Sequence, residues 1–157
     1  MVLVHRDYHS RNLMVCPERN PGILDFQDAV RGPISYDLVS LLKDCYIVWP
    51  RANLSRWIDH YRAGAERLGL DAGRDRAEFE RWFDQIGLQR HIKVLGIFAR
   101  LWYRDGKPGF LADLSRVLDY TLAVTGAIPA LASFDDFLRS KVVSAFAIAA
   151  RRAGRPS

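Results

Sequence analysis

The apolar residues of this 157-residue chain change their period at Ser35, and that change limits the fold more than any other feature. Before it, residues 2–4, 13–16 and 22–26 are short runs rich in Val, Leu, Ile and Phe, and the last two are separated by Pro17-Glu18-Arg19-Asn20-Pro21. Runs of that length bounded by Pro and Asn read as short strands, the second and third as a hairpin. After it, apolar residues recur at helical spacing. Leu38, Leu41, Leu42, Cys45, Tyr46 and Trp49 share a face up to Pro50, and Leu54, Trp57, Ile58, Tyr61, Ala65 and Leu68 share the next up to Gly69. A third stretch from about Arg74 to Ile86 turns Phe79, Trp82, Phe83 and Ile86 inward. Gly87 is expected to bend it into a fourth, carried by Leu88, Ile92, Leu95, Phe98, Ala99 and Trp102. Beyond the turn Asp105-Gly106-Lys107-Pro108-Gly109, a fifth stretch holds Phe110, Leu111, Leu114, Val117, Leu118, Thr121 and Leu122, closing before Gly126 and Pro129. Ser133, with Asp135 and Asp136, reads as the cap and acidic first turn of a last helix that ends in Arg151-Arg152 and Gly154. The pattern predicts an α+β fold, mainly α, in which a short strand and hairpin platform packs on about five or six helices.

A chain of 157 residues with 49% hydrophobic composition supports one domain with a core, residues 1–157. Within it, residues 1–34 carry the polar motif described below and residues 35–157 form the helical part. The formal charge of +5, from 23 basic and 18 acidic residues, favours anionic partners. Cys16 and Cys45 are too few for a disulfide scaffold and sit in no metal-binding pattern, which suits a reducing cytoplasm. No apolar stretch approaches bilayer length, and Met1-Val2-Leu3-Val4 runs directly into His5-Arg6-Asp7, unlike a signal peptide. No membrane or nucleic-acid partner is expected, since the basic residues follow helix faces and form no recognised module.

Among the strand-like runs lies His5-Arg6-Asp7-Tyr8-His9-Ser10-Arg11-Asn12, followed by Ile23-Leu24-Asp25-Phe26. An acid, an amide and a second acid at this spacing match the needs of phosphoryl transfer. A carboxylate orients the attacking hydroxyl and takes its proton, the role expected of Asp7. Magnesium takes oxygen ligands and only one or two carboxylates from a protein, which suits Asn12 and Asp25 if a hairpin brings them together. His5 and Arg6 brace the loop, His5 as a hydrogen-bonded residue. Asp28 either reaches metal or substrate or is a solvated loop acid. Ordinary turn chemistry also uses Asp and Asn, but three such residues at this spacing, each beside an apolar run, point to chemistry. Two other classes use the same residues: a non-enzymatic remnant that docks to a partner, and a metal-dependent phosphatase or nuclease built on Asp7, Asp25 and Asp28.

The stretch from Val2 to Leu42 resembles the catalytic half of the aminoglycoside phosphotransferase and choline kinase-like superfamily, through His5-Arg6-Asp7 to Asn12, Leu24-Asp25, and Gly32-Pro33-Ile34-Ser35-Tyr36-Asp37-Leu38. Leu24-Asp25-Phe26-Gln27-Asp28-Ala29 and Gln89-Arg90-His91-Ile92-Lys93-Val94-Leu95-Gly96 are similar to the kinases that phosphorylate the anomeric hydroxyl of the cell-wall amino sugars N-acetylmuramate and N-acetylglucosamine. The resemblance implies the carboxy-terminal lobe of a protein-kinase-like fold, Asp7 as base, Asn12 and Asp25 as magnesium ligands, ATP as phosphoryl donor, and Asp37 as a buried brace at a helix start. A carboxylate there also meets free backbone amides and a favourable dipole. Related acceptors are aminoglycosides, choline and homoserine. Family members carry an amino-terminal nucleotide-binding lobe, and no glycine-rich phosphate loop occurs among the eleven glycines here. The chain therefore reads as a fragment whose exposed face would meet that lobe or self-associate.

Placing residues 88–104 on one helix sets Arg90, Lys93, Arg100 and Arg104 opposite Leu88, Ile92, Leu95, Ala99 and Trp102. Such a stripe could receive an anionic sugar through Arg90 and Lys93, or it is simply the solvated face of an amphipathic helix. Trp49, Trp57, Trp82 and Trp102 read as core by their periodic placement, with a sugar-stacking platform as the alternative.

Overall fold

The computed structural model describes residues 1–44, 47, 49–107 and 111–153. It is α+β and mainly α, with four short strands and six α-helices among the described residues. The chain divides into two compact units, residues 1–87 and 88–157. The unit boundary lies far from Ser35, where the apolar period changes.

In the first unit, β1 (Val2–Val4) pairs antiparallel with β4 (Val30–Gly32), Val4 opposite Val30. β2 (Leu13–Met14) pairs antiparallel with β3 (Gly22–Ile23), Leu13 opposite Ile23. The hairpin is the expected one, but shorter. Asn20 Oδ1 accepts the amide of Cys16 at 3.1 Å, taking up the donor a longer ladder would have used. At the other end Asp25 turns to φ 63, which no strand continues through. β4 is an addition to the sequence reading, since Val30-Arg31-Gly32 is too short to show a period.

α1 (Tyr36–Leu42) ends earlier than the Pro50 stop suggested. Lys43 leaves helical geometry and its amide closes on the Val39 carbonyl. Its ammonium reaches Asp84 at 2.6 Å and lies 4.7 Å from the centre of the Phe83 ring. Cys45 and Tyr46, read as part of that helix, lie outside the described residues. Pro50 instead precedes α2 (Arg51–Arg67). Gly69, at φ 69, stops α2 with its amide on the Glu66 carbonyl, and Leu68, placed on the inner stripe by its spacing, is exposed there.

α3 (Arg76–Tyr103) begins with a reciprocal cap, in which Asp75 Oδ1 accepts the Glu78 amide at 2.7 Å and Glu78 Oε2 accepts the Arg74 amide at 2.7 Å. The helix runs unbroken through Gly87, where a bend was expected. Gly87 answers a packing need, because a Cβ there would stand 3.1 Å from the Lys43 side chain. The core of the first unit gathers Ile34, Leu38, Val39, Leu42, Ile58 and Phe83 around Phe79, which is 0% exposed and flanked by Tyr61 and Trp82. A side chain of that size contributes about 1.5–3 kcal/mol on burial.

In the second unit, the rest of α3 turns Leu88, His91 and Phe98 inward. Ile92, read as core, is 40% exposed, because the inner face centres on His91 and Phe98 rather than one position further round. His91 stacks on Tyr120 with ring centroids 5.1 Å apart. Arg90 is half-buried, whereas Lys93 and Arg100 are exposed. Pro108, Gly109 and Phe110 lie outside the described residues. α4 (Leu111–Ala127) buries Leu114, Val117, Leu118, Thr121 and Thr125. The Thr121 hydroxyl donates back to the Val117 carbonyl at 2.8 Å, so a polar side chain enters the core with its donor satisfied.

After a 3-10 turn at Pro129–Leu131 come α5 (Ala132–Phe137), a π-helical turn (Leu138–Val142) and α6 (Val143–Ala153). Ser133 therefore lies inside α5 and caps nothing, while Asp135 occupies its first turn. Arg151 and Arg152 do fall in the last turn of α6, and Gly154 lies outside the described residues.

Asp135 accepts from Arg139 Nε at 2.6 Å and from the Thr125 hydroxyl at 2.5 Å. These two bonds, Arg139 first, hold its carboxyl below the ordinary carboxylate range. Unfolding raises its proton affinity, so the stabilisation is present above the unfolded value of about 4 and is lost as pH falls through the depressed folded value. Asp135→Asn should flatten the acid limb of a melting-temperature profile below about pH 4. An acid limb as steep as wild type would show that this carboxylate does not drive it.

Candidate active site

The His5–Asn12 loop leaves β1 through a strained residue, since Arg6 adopts φ 78 with a long side chain. Both of its backbone groups are held by α1. Asp37 Oδ1 accepts the Arg6 amide at 3.0 Å and Asp37 Oδ2 accepts the His5 amide at 2.7 Å. The Ser40 hydroxyl lies 3.2 Å from the Arg6 carbonyl and 3.1 Å from the Tyr36 carbonyl, donating one proton between them. Asp37 is half-buried, and its partners belong to the loop and not to its own helix. Its charge, together with burial as the larger cause, raises the pKa of the Tyr61 phenol. That phenol donates to the Ile34 carbonyl at 2.8 Å.

Beyond the strained residue the loop folds on the Asp7 carbonyl, which accepts the His9 amide at 3.0 Å and Asn12 Nδ2 at 2.9 Å. Ser10–Asn12 form a 3-10 turn, and β2 follows directly. The Asn12 carbonyl accepts the Leu24 amide at 3.0 Å, which ties this loop to the residue before Asp25. His5 Nε2 meets the Leu24 carbonyl at 2.8 Å. A carbonyl only accepts, so this nitrogen carries the proton. His5 is thus a hydrogen-bonded brace that links the His5–Asn12 loop to the Asp25 turn, and its ring meets Tyr8 edge-on at 5.9 Å.

The sequence-derived residues His5, Asp7, Asn12, Asp25 and Asp37 are therefore joined by one chain of short bonds. Asp25 is exposed, with Gln27 Nε2 on its Oδ1 at 2.7 Å and its other oxygen open. Asn12 anchors its amide nitrogen, and its side-chain oxygen makes no hydrogen bond among the described residues. One amide oxygen and one carboxylate oxygen, on segments bonded to each other, are donors that fit a hard divalent cation. Asp28 is exposed, and only its backbone carbonyl is engaged, 3.5 Å from Arg6 Nη1. Among the described residues no three of His, Cys, Asp and Glu are grouped to hold a metal ion, so Asp7, Asp25 and Asp28 do not form such a cluster. Arg90 and Lys93 belong to the second unit. The sequence reading missed Ser40, whose part depends on a backbone carbonyl 34 positions away and leaves no local signal.

A sequence profile of the phosphotransferase enzyme family matches residues 1–80, which hold every element of this arrangement. Three relatives are N-acetylmuramate/N-acetylglucosamine kinases. That of Pseudomonas putida is 46% identical over 137 residues, 87% of this chain and 40% of that protein. That of Neisseria meningitidis serogroup B is 50% identical over 124 residues, 79% of this chain and 37% of that protein. That of Pseudomonas aeruginosa is 43% identical over 139 residues, 88% of this chain and 41% of that protein. The chain thus spans about two fifths of the length of the curated relatives it matches.

Asp37→Ala should free the His5 and Arg6 amides, cost about 2 kcal/mol in chemical denaturation, and accelerate hydrogen exchange at those two amides. Unchanged protection there would mean that the strained turn is held by something else.

Proposed function

The chain belongs to the phosphotransferase enzyme family, and on that premise we propose that it carries the phosphoryl-transfer and acceptor-binding part of an ATP-dependent, magnesium-requiring small-molecule kinase. The proposed acceptor is the anomeric hydroxyl of N-acetylmuramate or N-acetylglucosamine, in the recycling of cell-wall sugars. The observation that carries the reading is the bonded chain from Asp37 through Arg6, Asp7 and Asn12 to Leu24, which presents a carboxylate and two metal-ligand candidates from adjoining backbone. The names of relatives 40–50% identical to the chain support the acceptor.

In this reading Asp7 accepts the hydroxyl proton as the sugar oxygen forms its bond to phosphorus and the bond to the leaving diphosphate breaks. Asn12 and Asp25 would hold magnesium through their oxygens, and Asp37 with Ser40 would fix the loop so that Asp7 meets the acceptor in line. A bound magnesium ion supplies charge neutralisation for the phosphates. Residues 1–34 form the catalytic and metal-binding segment, as in the carboxy-terminal lobe of a protein-kinase-like fold, and the helical remainder forms the substrate part. Binding of the adenine is assigned to the complete protein. Leu3, Val15 and Phe26 are exposed apolar side chains, and the proposed partner for them is a nucleotide-binding lobe or a second copy of the chain. Among the described residues no single helix is long and apolar enough to cross a membrane, and we place the reaction in the cytoplasm with its ATP.

The test is phosphate transfer from ATP to a panel of amino sugars, aminoglycosides, choline and homoserine by the complete protein. Transfer to an amino sugar alone is the expected result, and transfer only to one of the others would overturn the acceptor. Asp7→Asn should lower kcat about 10²–10⁴-fold while ATP binding stays close to wild type; equal turnover would remove Asp7 from the base role. Asp25→Ala should raise the magnesium concentration needed for half-maximal activity, and an unchanged requirement would exclude it as a ligand.

A further inference from the structure

Asp44 lies just beyond α1, and its side chain is 7% exposed. Its one hydrogen bond among the described residues is a long one, from the Ser10 hydroxyl to Oδ2 at 3.4 Å. No cation pairs with it there, and the adjacent Lys43 is held by Asp84 at 2.6 Å. A carboxylate offers about four acceptor positions, and burying its charge without donors is strongly unfavourable. Folded chains rarely leave such a group unmet without a functional reason.

Its location supplies that reason. Ser10, three positions after Asp7, opens the 3-10 turn that ends at Asn12, so Asp44 abuts the loop assigned to catalysis. His9 Nδ1, next to Ser10 in the chain, and Trp49 Nε1, five positions after Asp44, are buried polar atoms with no hydrogen-bond partner among the described residues. Resting on the kinase reading, we propose that Asp44 is an acceptor-contacting residue whose carboxylate receives hydroxyl or acetamido N–H hydrogens of the sugar and sets its orientation toward Asp7. An acceptor-only group suits a ligand rich in O–H and N–H donors, and a neutral polyhydroxylated ring supplies them without a second negative charge.

Asp44→Asn keeps the shape and removes the charge. Nucleotide-free titration of the chain with N-acetylglucosamine and N-acetylmuramate, followed by calorimetry and tryptophan fluorescence, should show saturable binding to wild type. Binding should weaken about tenfold or more in Asp44→Asn. Thermal melting separates this role from a structural one. With the buried carboxylate replaced by a neutral amide of the same shape, sugar-free Asp44→Asn should melt at or above the wild-type temperature, whereas a carboxylate kept only to hold Ser10 would make the variant melt lower. Equal sugar affinity in variant and wild type, or a variant that melts well below wild type, overturns the role of Asp44 and leaves the kinase reading standing. A wild-type chain that binds neither sugar overturns it as well, and phosphate transfer by the complete protein then judges the kinase reading independently.

Discussion

Two side chains of one short helix hold a backbone that would not hold itself. Arg6 at φ 78 carries about 1–3 kcal/mol of strain, and a charge-assisted hydrogen bond returns about 1.5–3 kcal/mol. The two bonds from Asp37 and the one from Ser40 together exceed the strain, so the turn persists. The grip is only as firm as the helix that delivers it, and α1 is seated by burying Leu38, Val39 and Leu42 in the core around Phe79. Hydrophobic burial thus sets the coordinates of a polar site: packing places α1, α1 places Asp37, and Asp37 places the loop that bears Asp7.

The His5 ring closes the arrangement. Strand β1 and the Leu24 carbonyl are joined by its Nε2, while the Asn12 carbonyl binds the Leu24 amide from the other side. Both polar groups of the Leu24 backbone are therefore spent on the loop. Asp25 follows at φ 63 with its carboxylate exposed. Residues thirteen positions apart are thereby brought onto adjoining backbone, since main-chain bonds do the positioning.

Spacing made part of this visible in the sequence. The acid, amide and acid of the motif, the hairpin that joins their segments, and the apolar stripes of α2 and α4 could all be read, because each is written in local periodicity or in residue type. What could not be read depends on long-range partners. β4 is three residues whose only argument for being a strand is β1. The early end of α1 belongs to Lys43, drawn to Asp84 and Phe83 from 41 and 40 positions away. The unbroken helix through Gly87 overrides a weak helix propensity because a side chain there would meet Lys43. Ile92 and Ser133 failed for a different reason: a stripe fixed only to within a residue or so cannot say which edge position faces water, and an Asp at 135 suits a helix start whether or not Ser133 precedes it as the cap.

The hairpin carrying Leu13 and Ile23 has two residues in each strand, and Met14, Val15, Ile23 and Leu24 are all exposed. So slight a ribbon, with little apolar burial of its own, should be the first part of its unit to open in native-state fluctuations. Opening it would separate Asn12 from Asp25 while Asp7 stays tethered to α1. The two ends of the motif thus sit on parts of the chain with different local unfolding free energies, and thermal excursions far short of denaturation would part Asn12 from Asp25 while leaving Asp7 in place.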